Sequence, residues 1–257
     1  MLAIERRREI LNRLGVSGKV LVSELSRDFG VTEETIRRDL EKLDAEGLAA
    51  KTYGGAVSRQ NPALDLPYNV RAGFNVAQKQ IISDIVASLI HEGDRVMLDA
   101  SSTALYVLKR LKEKDRLTVI TNSVSILLEL ADKSDWTVLS TGGALKKGDL
   151  SLNGSSAEKM IKSYHVDAVI FSCTGLDGDL GATDSNEANS LIKQAMIASA
   201  ERRILVADGE KFGKKSFVSI CPIDDIDTIV TDREPSAAWM SLCAEKNIEL
   251  VYRKDAI

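Results

Sequence analysis

Residues 31–47 read VTEETIRRDLEKLDAEG, and this stretch decides the fold of the amino-terminal part of the chain. Thr32 is a suitable N-cap, the acidic residues after it suit the positive end of a helix dipole, and Gly47 is a suitable stop. A helix is therefore predicted from about residue 33 to residue 46. At about 100° per residue, the side chains that share its narrow apolar face are Ile36, Leu40 and Leu43.

Two more helices are predicted before this one, and a wing after it. Residues 5–14 and 20–29 carry apolar side chains at helical spacing, and Gly30 ends the second helix. Residues 48–57 hold a glycine pair between short runs, which indicates a two-stranded wing with a tight turn. Residues 1–57 thus predict a winged helix-turn-helix whose third helix is the candidate reader of DNA.

The polar face of the third helix is rich in hydrogen-bond donors. Thr35, Arg38 and Lys42 fall within about 60° of arc, which suits the major groove. Arg37 lies on the opposite flank among acidic residues, so salt bridges or a phosphate contact suit it as well as base reading does. The alternative from periodicity alone is a small helical subdomain with a solvated, charged face.

Charge does not decide between these two interpretations. The formal net charge is −4, and residues 1–57 carry ten basic and ten acidic side chains, against 24 and 28 in the remainder. Affinity for nucleic acid comes mainly from basic groups that meet phosphates. The placement of the basic side chains therefore matters more than their number.

Composition excludes several other classes of protein. No apolar run approaches the roughly 20 residues of a membrane span, and the first residues lack the apolar segment of a signal peptide, so we expect a cytoplasmic protein without a membrane partner. Cys173, Cys221 and Cys243 are odd in number and far apart, which predicts buried thiols and neither a disulfide nor a metal site. His91 and His165 have no paired ligands nearby, and no cofactor is expected.

A linker and an α/β domain are predicted to follow. Residues 58–67 are polar and hold two of the four prolines, so the linker is placed there and the second domain at 68–257. Apolar runs then alternate with helical patterns, which indicates a largely parallel sheet with a ligand at the carboxyl ends of its strands. The predicted strands are 95–99, 117–121, 136–140, 166–171, 203–208 and 226–231.

Polar loops follow these strands. The segment 99–103, Asp-Ala-Ser-Ser-Thr, opens a helix, and its small residues and hydroxyls suit a phosphate, although serine and threonine also cap helices without a ligand. Lys193 or Lys211 can meet a phosphate as a point charge, unless each is merely a solvated surface residue. The candidate effector-binding residues are Asp99, Ser101, Ser102, Thr103, Thr121, Asn122, Ser123, Gly142, Gly143, Gly175, Asp184, Asn186, Glu187 and Lys211.

The amino-terminal part resembles the DeoR family of regulators. The resemblance is carried by residues 31–40, by Leu43 and Gly47, and by the segment Tyr-Gly-Gly-Ala at 53–56. It implies double-stranded operator DNA as a partner. The DNA-contacting residues that it implies are Thr35, Arg37, Arg38 and Lys51 of the wing. Tyr53 departs from the basic residue or histidine expected at that place in the wing.

The second domain also resembles this family, whose carboxyl-terminal domain is similar in fold to ribose-5-phosphate isomerase and binds sugar phosphates. Segments 98–103, 171–175 and 184–186 look most like the regulators of L-fucose and L-rhamnose catabolism. That resemblance implies fuculose 1-phosphate or rhamnulose 1-phosphate as the effector. The segment Gly-Glu-Lys at 209–211 departs from the Ser-Ser-Lys of most relatives.

The predicted function is therefore regulation of a sugar-catabolism operon by a non-enzymatic, DNA-binding protein. The alternative is a sugar-phosphate isomerase with an added DNA-binding domain, in which Asp184, Glu187 or Lys211 would serve the chemistry. A helix-turn-helix protein usually reads repeated half-sites, so we expect a homo-oligomer, either a dimer or a tetramer.

Overall fold

The chain divides into two compact units. The computed structural model describes residues 2–57 and 68–254, with the side chains of residues 8, 12 and 15–17 outside that description. The first unit is Met1–Asn75 and the second is Val76–Ile257. The predicted linker, 58–67, lies outside the described residues.

The start of the second domain needs a correction. The sequence predicts it at residue 68, but 68–75 belong to the first unit. There a short helix, Tyr68–Gly73, carries Val70, and both Val70 and Phe74 pack against the core of the first unit. Burial of these apolar side chains joins 68–75 to the first unit.

The described part of the first unit has four helices and three short strands. The three strands form an antiparallel sheet in the order β1-β3-β2. The core between the helices buries Ile10, Leu14 and Leu25 with the apolar face of α3. In chain order the elements are α1 (Ala3–Ser17), β1 (Lys19–Leu21), α2 (Val22–Phe29), α3 (Glu33–Ala45), β2 (Ala50–Thr52), β3 (Gly55–Val57) and α4 (Tyr68–Gly73).

The wing has one strand more than predicted. The sequence places Val20 in the second helix, but α2 begins at Val22, and Val20 pairs with Ala56 of β3. The Val20 side chain is buried, and a β-branched residue suits a strand better than a helix. Pairing with β1 ties the wing to the helical core.

This pairing requires a glycine at position 55. A Cβ atom built on Gly55 would lie 1.9 Å from the carbonyl oxygen of Val20. Gly55→Ala is therefore expected to push β3 away from β1 and to lower the free energy of unfolding of the first unit by about 1–3 kcal/mol. The free energy of unfolding is measured in urea from the exchange rates of the backbone amide hydrogens in β1 and β3.

Gly54 provides the matched control. A Cβ atom on Gly54 meets no atom within 4 Å. Gly54→Ala should therefore change the stability by less than about 0.5 kcal/mol. Equal stabilities for the two alanine variants would contradict the close approach of β1 and β3.

The described part of the second unit alternates strands and helices. Its strands are β4 (Arg95–Leu98), β5 (Thr118–Thr121), β6 (Thr137–Ser140), β7 (Ala144–Lys146), β8 (Ser151–Asn153), β9 (Val166–Ser172), β10 (Gly175–Asp177), β11 (Gly181–Asp184), β12 (Ala200–Val206), β13 (Val218–Cys221), β14 (Thr228–Thr231) and β15 (Glu249–Tyr252). Its helices are α5 (Val76–Leu89), α6 (Ser102–Leu111), α7 (Val124–Glu129), α8 (Ser155–Lys162), α9 (Glu187–Ile197) and α10 (Ala237–Glu245), with a 3₁₀ turn at Ile223–Asp225.

A seven-stranded sheet organises this unit. Its order is β15-β14-β12-β9-β4-β5-β6, and every neighbouring pair is parallel. One apolar cluster, around Ile82 and Leu108, includes α5 and α6 side chains; another, around Phe171 and Met196, includes α8 and α9 side chains. Because the strands are parallel, their carboxyl ends meet at one edge, which is called the carboxyl edge below.

The structure confirms the α/β class and each of the six predicted strands. The sequence analysis missed the hairpin β7-β8, the small antiparallel sheet β10-β11-β13 and the edge strand β15. These strands are three or four residues long. The three-residue runs of β7, β8 and β10 carry too few side chains for a clear periodicity.

Candidate DNA interface and effector site

The third helix presents the predicted polar face. Ile36, Leu40 and Leu43 are buried, whereas Arg38 and Lys42 are exposed and Thr35 is half-buried. Thr32 caps the helix, since its hydroxyl accepts from the backbone N–H of Thr35 at 3.3 Å. The orientation predicted from periodicity is thus the observed one.

The basic side chains around this face form exposed ion pairs. The Arg38 Nε atom lies 3.3 Å from Glu34 Oε1, and Arg37 donates to Glu33 at 2.6 Å. Lys51 on the wing pairs with Glu41 of α3. Exposed pairs of this kind contribute roughly 0–1 kcal/mol, so they yield readily to a stronger partner such as a DNA phosphate or base.

The position of α3 depends on a residue that sequence reasoning left without a role. Asp39 is buried and accepts a hydrogen bond from Arg6 Nε, with Arg7 at 3.9 Å. This ion pair joins α3 to α1. The signal was a charged residue close to the apolar face of an amphipathic helix.

The wing ends in an exposed aromatic side chain. Tyr53 occupies the turn between β2 and β3, with its side chain fully exposed. Lys51 precedes it on β2, and its backbone N–H donates to Asp44 of α3 at 3.2 Å. Lys51 is therefore held next to α3.

A buried lysine occupies the centre of the carboxyl edge. Lys193 on α9 donates to Asp184 Oδ2 at 2.6 Å and to the carbonyl oxygen of Ser172 at 2.7 Å, and it lies 3.4 Å from Asp99 Oδ2. The ammonium group has three hydrogens, and three acceptors surround it. Lys193 is therefore neither a solvated surface residue nor a free charge for a phosphate, as the sequence interpretation allowed.

The charges of this cluster support one another. Burial alone lowers the pKa of Lys193, but the carboxylates of Asp184 and Asp99 outweigh it and the pKa is raised. Burial alone raises the pKa of Asp184, but the Lys193 charge outweighs it and the pKa is lowered. The lysine is thus cationic and Asp184 anionic at neutral pH.

The loop after β4 is organised by Asp99. This carboxylate accepts from the backbone N–H of Ser101 at 3.1 Å and of Ser172 at 3.0 Å. The Ser101 hydroxyl caps α6 by accepting from Ala104 N–H at 3.0 Å. Ser101 is thus the N-cap of α6, and Ser102 and Thr103 lie in its first turn. All three residues of the predicted phosphate loop are buried.

The loop after β5 uses its hydroxyls internally. Thr121 donates to the carbonyl oxygen of Leu98 at 2.7 Å and accepts from Ser123 N–H at 3.1 Å. The Ser123 hydroxyl caps α7 by accepting from Ile126 N–H at 3.3 Å. Both hydroxyls position the loop, and Asn122 lies between them.

The predicted glycines occupy tight places. Gly142 and Gly143 both have positive φ angles, and a Cβ atom on Gly143 would lie 2.6 Å from the carbonyl oxygen of Asn153. Gly175 begins β10, where a Cβ atom would lie 2.5 Å from the carbonyl oxygen of Lys214. Close packing of backbone against backbone accounts for Gly143 and Gly175.

The remaining candidates lie at the start of α9 and after β12. Asn186 caps α9 by accepting from Asn189 N–H at 3.3 Å, and Glu187 beside it is exposed. Lys211 is half-buried, and its charge opposes the burial that raises the pKa of Cys173 to about 12. The backbone carbonyl oxygen of Lys211 accepts from the backbone N–H of Leu176 on β10 at 2.9 Å, which holds this loop beside the segment that follows β9. Of the two lysines that the sequence suggested for an anionic ligand, Lys193 is surrounded by acceptors and Lys211 remains as the candidate.

Sequence reasoning missed a chain of polar side chains beside this loop cluster. It links Asn122 to residues of β7, β8, α9 and the β7-β8 turn. Its further members are Asn153, Asn189, Asp149 and Lys146. The available signal was the position of three asparagines: Asn122 directly after β5, Asn153 at the end of β8 and Asn189 in the first turn of α9.

Within 2–57 and 68–254, no group of three or more His, Cys, Asp or Glu side chains is placed to hold a metal ion. Over the same ranges, no helix has the length and apolar character needed to cross a bilayer.

Comparison with known proteins places these features in a family. Residues 6–61 match the DeoR-like helix-turn-helix domain, and residues 74–233 match the DeoR C terminal sensor domain. The chain belongs to the DeoR family of DNA-binding transcription regulators, which confirms the resemblance seen in the sequence.

Individual relatives are similar over nearly their whole length. The uncharacterized HTH-type transcriptional regulator YulB of Bacillus subtilis is 40% identical, over 97% of this chain and 96% of the relative. The L-fucose operon activator of Haemophilus influenzae is 33% identical, over 94% and 97%. Among solved structures, ribose 5-phosphate isomerase A from Neisseria gonorrhoeae is 14% identical over 52% of each chain, with a TM-score of 0.38. A resemblance this partial carries no information about activity.

Proposed function

We propose that this regulator binds operator DNA through α3 and the wing, and that a phosphorylated sugar at the carboxyl edge controls that binding. The DNA-contacting residues are those of the exposed face of α3 and its flank, together with the wing lysine. They are Thr35, Arg37, Arg38, Lys42 and Lys51.

The observation that carries the effector proposal is the convergence of polar loops at one edge. The loops after β4, β5, β6, β9 and β12 follow strands that are neighbours in the sheet, so their residues lie along the same edge. The first turn of α6 supplies N–H groups at the positive end of a helix dipole, and Lys211 supplies a charge. Together they suit a ligand that is anionic at one end.

The rest of the edge suits a polyhydroxylated ligand. Asn122, Asn186 and Glu187 provide amide and carboxylate groups, which hold sugar hydroxyls through hydrogen bonds. With the motif resemblance and a relative named for the L-fucose operon, fuculose 1-phosphate and rhamnulose 1-phosphate are the favoured effectors.

Binding without turnover is favoured over isomerase chemistry. A general base works best with a pKa near the operating pH, but the pKa of Asp184 is lowered by Lys193. Its Oδ2 atom also accepts from Lys193, which competes with proton abstraction. Asp184 is therefore a structural anion rather than a general base.

Two copies on one operator complete the proposal. A single α3 reads only a few base pairs, and two-fold repetition of a half-site matches two-fold symmetry in the protein. We therefore assign the functional form as a homo-oligomer, a dimer or a tetramer.

A phosphorylated ketose is expected to change operator affinity by about 5- to 150-fold, the usual range of coupling between two sites. The parent sugar should change it less than about twofold, because it lacks the group that the start of α6 and Lys211 attract. Operator DNA selected from a random pool is titrated at fixed salt with fuculose 1-phosphate, rhamnulose 1-phosphate or the parent sugars.

The same samples test the enzymatic alternative. The sugar phosphates are recovered after incubation and analysed by NMR, and they should be unchanged. Equal effects of a free sugar and its phosphate would contradict the phosphate site, and interconversion lost in Glu187→Gln would support the isomerase instead.

A further inference from the structure

One buried polar atom at the carboxyl edge lacks a partner. Asn122 is 2% exposed, and its Nδ2 donates to the carbonyl oxygen of Leu152 at 3.2 Å and to Asn153 Oδ1 at 3.3 Å. Among the described residues, no donor lies within hydrogen-bonding distance of Asn122 Oδ1. Buried carbonyl oxygens in folded proteins are nearly always paired, so this atom calls for a donor from outside the chain.

The orientation of the Asn122 amide is fixed by a series of hydrogen bonds that starts at the carboxylate of Asp149. Asp149 is buried and accepts from Lys146 Nζ at 2.7 Å and from Asn189 Nδ2 at 2.9 Å. A carboxylate only accepts hydrogen bonds, so the NH₂ group of Asn189 must face it. The carbonyl oxygen of Asn189 is thereby turned towards Asn153.

The orientations of Asn153 and Asn122 follow in the same way from the next hydrogen bonds of this series. Asn153 Nδ2 donates to Asn189 Oδ1 at 3.1 Å, which leaves Asn153 Oδ1 to accept from Asn122 Nδ2. Turning the Asn122 amide round would set its oxygen against two other oxygens, those of Leu152 and Asn153. Asn122 Oδ1 is therefore held as an acceptor.

Its position places this acceptor beside the proposed phosphate loop. Strands β4 and β5 are neighbours, with Leu98 opposite Thr121. Asn122 therefore follows its strand about 5 Å from where Asp99 follows the adjacent one, which is the spacing of paired strands. The distance between the two loops is thus short enough for a ligand whose phosphate lies at Ser101–Thr103 to reach Asn122 with the carbons next to that phosphate.

We propose that Asn122 Oδ1 accepts a hydrogen bond from a hydroxyl of the effector, so that the site selects a sugar phosphate with a hydroxyl close to its phosphate. This inference rests on the proposed function. The chain from Asp149 through Asn189 and Asn153 acts as a positioning device, because it fixes which face Asn122 shows to the ligand.

The test removes the donor from the ligand and the acceptor from the protein. Calorimetry measures the binding of the tighter of fuculose 1-phosphate and rhamnulose 1-phosphate, of each of its monofluoro analogues, and of inorganic phosphate. Fluorine replaces a hydroxyl at similar size but donates no hydrogen bond. For the wild type, one analogue should bind about 10- to 100-fold more weakly than the parent, because the buried oxygen is left unpaired.

The variant should abolish that discrimination. In Asn122→Ala, the parent and that analogue are expected to bind within about threefold of each other, as a double-mutant cycle requires for a direct contact. Asn69→Ala, at an exposed position of α4, is the control and should retain the full discrimination. If the alanine variant fails to fold, Asn122→Leu fills a similar volume without any hydrogen-bond acceptor, and the same loss is expected.

The outcomes separate the two proposals. Equal discrimination in wild type and variant, or no discriminated analogue at all, overturns the role of Asn122 and leaves the effector site intact. If neither sugar phosphates nor inorganic phosphate bind the wild type, the effector site is wrong and the role of Asn122 falls with it.

Discussion

Lys193→Met is expected to lower the free energy of unfolding of the second unit by about 3–5 kcal/mol. Methionine fills most of the volume of the lysine stem but removes the ammonium that Asp184 and Asp99 share. The side chains of Asp184 and Asp99 are 6% and 1% exposed, so water cannot replace the hydrogen bonds and the charge that they lose. Urea unfolding followed by tryptophan fluorescence measures this unit alone, because both tryptophans, Trp136 and Trp239, lie in it.

An exposed lysine serves as the control. Lys215 lies 3.6 Å from Asp177 with its side chain 56% exposed, and Lys215→Met should change stability by less than about 0.5 kcal/mol. A loss below about 1 kcal/mol in Lys193→Met would contradict the internal ion pair.

The pH dependence of the Lys193→Met effect follows from Asp184. Its folded-state pKa is lowered in the wild type, so its contribution is present at neutral pH and is lost as the pH falls through the folded value. Without Lys193, burial raises the pKa of the Asp184 carboxyl. In the variant this carboxyl therefore becomes protonated as the pH falls, which removes the buried unpaired charge and restores stability. The stability difference between wild type and Lys193→Met should therefore shrink as the pH falls from 7 towards about 4.

The sequence predicted those features that neighbouring residues determine. The start of α3 was accessible because Thr32 lies directly before the acidic first turn, and its apolar face because Ile36 and Leu40 repeat at helical spacing. The central strands were accessible because strands covered on both faces form continuous apolar runs. Each signal lies within about ten residues.

Features formed by distant residues escaped prediction. Lys193 stands in an amphipathic helix, where a lysine normally faces water, and its partner Asp99 comes far earlier in the chain. The strand β1 was missed because its partner, β3, follows two intervening helices. The asparagine chain was missed because its members lie on three separate elements and meet only after the sheet has formed.

Within the proposed effector site, the geometry assigns different parts to neighbouring residues. The sequence predicts Thr121 and Ser123 as effector-binding residues, but their hydroxyls form hydrogen bonds inside the protein. Asn122 between them keeps an unpaired acceptor. A sequence shows that three polar residues follow a strand, but only the geometry shows which of them keeps an unpaired atom.

Arg38→Ala is expected to weaken specific operator binding by about 30-fold to 10⁴-fold while the fold and effector binding persist. A bidentate contact from arginine to guanine is worth about 1–3 kcal/mol, and a dimer loses it at both half-sites. Arg38 is 74% exposed at the centre of the Thr35, Arg38 and Lys42 face, so its removal disturbs no packing. Fluorescence anisotropy with selected operator DNA and with unrelated DNA of equal length measures both affinities.

The comparison of specific with nonspecific DNA identifies what Arg38 contacts. A base-reading side chain loses affinity for the operator alone, whereas a phosphate contact weakens both DNAs and reduces the salt dependence by about one charge per subunit. Arg27→Ala, an exposed position on α2, is the control and should leave the operator affinity within about threefold. Because Arg37 pairs with Glu33 on the other flank, Arg37→Ala should act on both DNAs alike. If Arg37→Ala abolishes specificity and Arg38→Ala does not, α3 enters the groove by the opposite flank, and the orientation argued from its buried face is wrong.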